Sequence, residues 1–253
     1  MNGPRNALNG QPDAVSEAPY PITVTIVDCE KPCVIAAAHQ VTIGVDAAGI
    51  CPEIDPAAYD ILLTTCQLPS APWVTTVDPY AEAKRIAARI GAFPFASRVL
   101  SDLMQLQAGL DFANSLIAES LAYSTLLGGA EFARWLAAQP LGAPDRGDRP
   151  RLAVTRDNDL VSVTLSDPIN RNAMTAAMRD ALYDLLVNML DDPTRPAVTM
   201  RAAGRCFSVG GHLPEFGSNR DLAATHAIRT EHSCALLLHR LGARASVLFH
   251  GAS

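Results

Sequence analysis

Residues 204 to 216 read GRCFSVGGHLPEF, with two consecutive glycines, Gly210 and Gly211, between an apolar run and a polar one. Such a pair suits a tight turn, or a place where the backbone comes close to a ligand and offers it an N–H. A fixed N–H aimed at an oxygen that gains charge favours a transition state over a ground state. His212 follows at once. An imidazole there is a candidate acid or base at neutral pH, or a cap for the next helix. Glu215 reads as a helix-start carboxylate. A second turn, SDPINRNAM at residues 166 to 174, carries Arg171, a candidate charge-assisted donor to a phosphate or else a solvated turn arginine. Asn172 is expected to tie that turn together through its side chain. His226, His232 and His239 lack metal-ligand spacing and read as structural or exposed.

The elements around these turns follow from hydrophobic period. In LVSVTLS, Val161, Val163 and Leu165 point one way and Ser162, Thr164 and Ser166 the other, as in a half-buried strand. TAAMRDALYDLLVNMLDD then predicts an amphipathic helix with Met178, Leu182, Leu185, Leu186 and Met189 on one stripe. Thr175 stands at its N-cap, and Pro193 lies just past its end. PAVTMRAAG is a second strand, so the order strand, turn, helix, strand, glycine loop is a βαβ crossover. Both informative loops leave the C-terminal ends of strands, where ligands tend to sit in such units.

Through these two motifs together, the segment resembles the N-terminal half of the enoyl-CoA hydratase/isomerase (crotonase) superfamily. That family shows a strand, an (N/D)-P-x-x-R-N-A turn, a helix, a strand and an F-S-x-G-x-D-L loop. Here these are Asp167, Pro168, Arg171, Asn172 and Ala173, then Phe207, Ser208, Gly210, Gly211, His212 and Leu213. The resemblance covers residues 151 to 253. It implies a crotonase-like ββα spiral, incomplete C-terminally, and an oxyanion hole to which Gly211 gives its N–H. It also implies contacts from Arg171, Ala173, Ser208 and Gly210 to the CoA end of an acyl-CoA, with Ala173 leaving room for the ligand chain. The CoA thioester is substrate, with no separate cofactor and no metal. His212 departs from the usual aspartate. The chain stops at Ser253, ahead of the glycine-rich helix start and the acidic residues the family uses, so the expectation is a truncated enzyme with little or no hydratase activity of its own. Two other readings are a cofactor-independent aryl-acetyl-CoA dioxygenase-like enzyme, which the N-terminal extension brings to mind, and a non-catalytic acyl-CoA-binding or assembly protein. A homo-oligomer is expected if the crotonase domain is complete.

The rest of the chain reads more coarsely. Residues 1 to 20 look like a disordered lead. Residues 21 to 140 predict a small α/β and helical domain, with strands in ITVTIVDC and YDILLTTC and either strands or a buried helix in CVIAAAHQVTIGVD. Asp78 and Pro79 open two or three helices, interrupted near Gly128 and Gly129, with Leu116, Ser120 and Tyr123 near one stripe. That stripe reads as a packed layer or a dimer face. Residues 141 to 150 are the predicted linker. A hydrophobic content of 49% and a charged content of 18% point to a packed soluble protein, and a net charge of −6 to no nucleic-acid partner; no membrane partner is expected, because His39, Gln40 and Asp46 interrupt the apolar stretch from Val34 to Ile50. The six cysteines form no C-x-x-C pair and are expected to be reduced, buried and structural, and with no apolar leader the expected compartment is the cytoplasm.

Overall fold

The computed structural model describes residues 22–30, 40–139 and 151–251. The predicted lead at 1–20, the predicted linker at 141–150 and residues 31–39 with Cys33 lie outside the described residues. Contacts divide the chain into two compact units, Met1–Pro94 and Phe95–Ser253. The division therefore falls between the first two helices. The sequence reading instead grouped residues 21–140.

The first unit is a four-stranded parallel sheet, β1 (Thr23–Asp28), β2 (Gln40–Asp46), β3 (Ile61–Thr64) and β4 (Trp73–Thr75), ordered as in sequence. The ambiguous stretch CVIAAAHQVTIGVD supplies β2, which is buried from Val41 to Asp46. α1 (Pro79–Ala92) starts as predicted: the Asp78 carboxylate accepts from the N–H of Ala81, and Pro79 needs no partner at the first position. Its Ala83 and Ile90 close a core with Val41, Ile43, Val45 and Leu63.

In the second unit α2 (Pro94–Gln107), α3 (Phe112–Leu127) and α4 (Ala130–Ala137) come first, so the stretch expected to hold two or three helices holds four with α1. The break falls at Gly128 and Gly129. The buried Glu131 of α4 turns back to accept from the N–H groups of Phe95 and Ala96, capping α2.

β5 (Leu152–Asp157) pairs antiparallel with β6 (Leu160–Leu165), which pairs parallel with β7 (Ala197–Ala202), which pairs parallel with β8 (Ala245–Val247). α5 (Ala176–Asp191) is the crossover from β6 to β7; α6 (Leu222–Glu231) and α7 (Cys234–Leu241) lie between β7 and β8. The β5–β6–α5 order is the expected ββα unit. β5 itself was not foreseen, because its side chains are mostly exposed and mixed in type. The core is the predicted one: Val161, Val163 and Leu165 meet Met178, Leu182 and Leu186, joined by Val198, Met200, Leu237 and Leu241. Each such side chain contributes about 1.5–3 kcal/mol on burial. Of the five described cysteines, all free, only Cys206 is fully buried, so the expectation of buried thiols holds for that one alone. Among the described residues no helix is long and apolar enough to cross a membrane.

Candidate functional site

The two turns singled out in the sequence lie side by side. The segment 171–174 and the segment 208–212 run parallel and are laced by four hydrogen bonds. Val209 N–H donates to the Arg171 carbonyl at 3.2 Å, Ser208 Oγ donates to the Asn172 carbonyl at 2.7 Å, Met174 N–H donates to the Gly210 carbonyl at 2.8 Å and His212 N–H donates to the Met174 carbonyl at 3.4 Å. In this parallel bridge the residues on either side of Gly211 make the bonds. Backbone groups alternate along an extended segment, so the N–H of Gly211 faces away from Met174. Among the described residues it has no hydrogen-bond partner. Gly211 is exposed.

The two glycines have different reasons. Gly210 has φ +80°, a left-handed conformation, with open space where a Cβ would stand. Gly211 has no such φ; a Cβ there would meet Cζ and Cε1 of Phe216 at 2.7 and 2.8 Å. A side chain at 211 would thus have to displace the ring of Phe216. Phe216 is held in turn by Tyr123 of α3, edge-on at 6.1 Å between ring centroids. Arg229 of α6 lies 4.6 Å over the Tyr123 ring. Its guanidinium donates to Ser120 Oγ, the Ser120 carbonyl and Ser124 Oγ. The stripe of α3 read as a packed layer or dimer face is therefore a packing face within this unit, with Ser120 and Tyr123 directed at α6 and at the loop after Gly211.

Asn172 is wholly buried and does what was expected of it, across a longer range. Its Oδ1 accepts from Asp167 N–H, and its Nδ2 donates to the carbonyls of Ala203 and Cys206, joining the first turn to the second loop. Arg171 and Asn172 both have φ +52°, an unusual consecutive pair that this network holds in place. Asp167 pairs with Arg151 at the start of β5, an ion pair buried on both sides. The β5–β6 hairpin thereby fixes where the turn begins.

A cleft of about 480 Å³ opens beside the turn, lined by Pro168, Arg171, Asn172, Ala203, Gly204, Arg205, Cys206 and Val209. Arg171 and Arg205 are exposed, and neither makes an ion pair among the described residues. Of the predicted contacts only Arg171 lines this cleft. Ala173 is buried in the protein, and Ser208, Gly210, Gly211 and His212 stand outside the lining. Val209 in the lining stands two residues before Gly211. Arg205 was missed; its signal was a cationic residue in the loop just after a strand end.

His212 is nearly buried, with Nδ1 3.5 Å from Oε1 of Glu215 and without a hydrogen bond among the described residues. Oε2 of Glu215 accepts from Ala176 N–H. Glu215 is a helix-start carboxylate as expected, but for α5 and not for the helix that follows it; Thr175 Oγ1 caps the same end by accepting from Met178 N–H. His226 Nδ1 lies 2.9 Å from Ser120 Oγ, while His232 stacks on Tyr183 and His239 on Phe112.

No family model matches the chain, and no curated protein sequence does. Solved structures do match. An enoyl-CoA hydratase/isomerase from Mycobacterium paratuberculosis is 30% identical over 42% of this chain and 43% of its own, with a TM-score of 0.36. An enoyl-CoA hydratase from Mycobacterium smegmatis is 29% identical over 39% of this chain and 38% of its own, at 0.34. Human enoyl coenzyme A hydratase domain-containing protein 3 is 20% identical over 40% and 41%, at 0.36. The chain thus spans about two-fifths of the length of the solved structures it matches. They carry the family name that the two motifs suggested.

Proposed function

We propose that the second unit carries an acyl-CoA site of crotonase type, in which the Gly211 N–H stabilises the oxyanion of a thioester enolate. The observation that supports this reading is the state of that amide. It lies between two hydrogen-bonded neighbours, on an exposed residue, and has no hydrogen-bond partner among the described residues. One preorganised donor of this kind contributes about 3 kcal/mol to a transition state. The developing charge is on the carbonyl oxygen, so a donor already oriented there gains more as the enolate forms than it gives the ground state.

Arg171 and Arg205 are the groups suited to the phosphates of CoA. A guanidinium offers a planar fork to phosphate oxygens, and both are uncommitted in the cleft. A ligand reaching from that cleft along the 208–212 segment would bring its thioester towards Gly211. In this reading Ser208 and Asn172 hold the two segments in register, Ala173 fills the core beneath them, and His212 keeps the strand geometry through its N–H on Met174.

The test is calorimetric titration of the chain with an enoyl-CoA, paired with the infrared stretch of its carbon-13-labelled thioester carbonyl. The expected result is binding with a downshifted carbonyl band, weakened in Arg171→Gln and Arg205→Gln. Binding with an unshifted band would leave a CoA-binding protein without an oxyanion donor. No binding of acyl-CoA or CoA would overturn the proposal.

A further inference from the structure

The first unit holds a second arrangement of reactive side chains, at the C-terminal edge of its parallel sheet. The wholly buried Asp46 ends β2, and its carboxylate accepts four hydrogen bonds: from the N–H of Gly49, Ile50 and Cys51, and from Thr64 Oγ1 at the end of β3. Burial pushes the Asp46 carboxyl up, but these bonds outweigh it and hold it below the ordinary carboxylate value. The turn after β2 and the turn after β3 are thereby drawn together. A Cβ on Gly49 would stand 2.8 Å from Thr65 Oγ1 and 3.2 Å from the Cys66 nitrogen.

Cys51 and Cys66 meet at this junction on one hydroxyl. Cys51 Sγ lies 3.7 Å from Thr64 Oγ1, which also accepts from the Cys66 N–H at 3.0 Å. The Cys66 carbonyl accepts from Thr75 Oγ1, so its backbone is held from both sides. Cys51 Sγ and the Cys66 N–H thus share one oxygen, and both residues are part-exposed. Among the described residues no group of three or more His, Cys, Asp or Glu side chains gathers to hold a metal ion.

We propose that Cys51 and Cys66 form a dithiol that an oxidant of the peroxide class closes into a disulfide across this sheet edge. One thiolate attacks a peroxide oxygen, the O–O bond breaks, and a sulfenic acid forms with release of water. The second thiolate attacks the sulfenic sulfur, the S–S bond forms, and the hydroxyl leaves as a second water. Two thiols lose two electrons and two protons, and one hydrogen peroxide becomes two waters. Burial pushes the Cys51 thiol up, partly offset by Thr64, with the Cys66 thiol and the Asp46 carboxylate adding to the rise.

The test is peroxide treatment of the folded chain, followed by alkylation, digestion without reduction and peptide mapping. The expected product is the Cys51 peptide joined to the Cys66 peptide, with loss of two hydrogen masses and reversal by dithiothreitol. It is retained in Cys29→Ser and absent in Cys51→Ser and Cys66→Ser. Guanidinium-denatured chain under the same treatment should pair its cysteines indiscriminately. The proposal is overturned if the folded wild-type chain keeps both thiols alkylatable, takes them to sulfinic acids without a cross-link, or joins Cys51 to another cysteine in equal yield. It is overturned too if the denatured chain prefers the same pair.

Discussion

Substituting Gly211 by alanine isolates the contact that shapes the proposed oxyanion loop. The new methyl carbon would lie 2.7 and 2.8 Å from two Phe216 ring atoms, where ordinary contact begins at 3.4 Å. The overlap falls on the far end of the ring, which could swing aside were it not flanked edge-on by Tyr123. Overpacking of this kind costs about 1–3 kcal/mol. Gly210→Ala is the control: no atom lies within 4 Å of its Cβ, yet φ +80° costs an L-residue about 1–2 kcal/mol through backbone strain alone. Urea denaturation of Gly211→Ala, Phe216→Ala and the double variant forms a cycle. The 211 substitution should lose most of its cost once the ring is gone, a coupling of about 1–3 kcal/mol. Gly210→Ala should cost the same in both backgrounds. If Gly211→Ala costs the same with and without Phe216, the ring does not dictate glycine there, and the account of the loop fails.

Two further outcomes follow from contacts elsewhere. Hydrogen bonds from Thr194 Oγ1, Arg156 and the Thr194 N–H bring the Asp192 carboxyl from 3.8 down to about 2. A folded value below the unfolded one stabilises the protein above about pH 3.8 and loses that contribution as pH falls through about 2. The wild-type melting temperature should therefore drop more steeply between those pH values than that of Asp192→Asn; parallel curves would refute the assignment. Ser120→Ala leaves His226 Nδ1 and Arg229 Nε without the hydroxyl they share, and should cost about 1–3 kcal/mol in urea denaturation. It should also speed amide exchange in residues 212–221, and unchanged exchange there would deny that α3 holds the loop.

What could be read from the chain alone was local. Alternation marked β6, the stripe of Met178, Leu182 and Leu186 marked α5, and Asp78 and Thr175 marked helix starts, because each depends on neighbours within a turn or two. Gly210 and Gly211 were legible as a special place, and Asn172 as a tie. The family resemblance rested on the same short-range patterns.

The tertiary structure decided whatever depends on residues far apart. β5 has few inward-facing apolar residues, so only pairing with β6 reveals it. Composition set the unit boundary at the polar stretch 141–150, whereas the packing of α3 on α6, with Arg229 reaching Ser120 and Ser124, draws the preceding helices into the second unit. Why glycine stands at 211 depends on Phe216 and Tyr123, and why Cys51 meets Cys66 depends on a carboxylate at the end of another strand. Period and capping report each residue's own segment; contacts between segments arise only when the sheet sets which strand ends become neighbours.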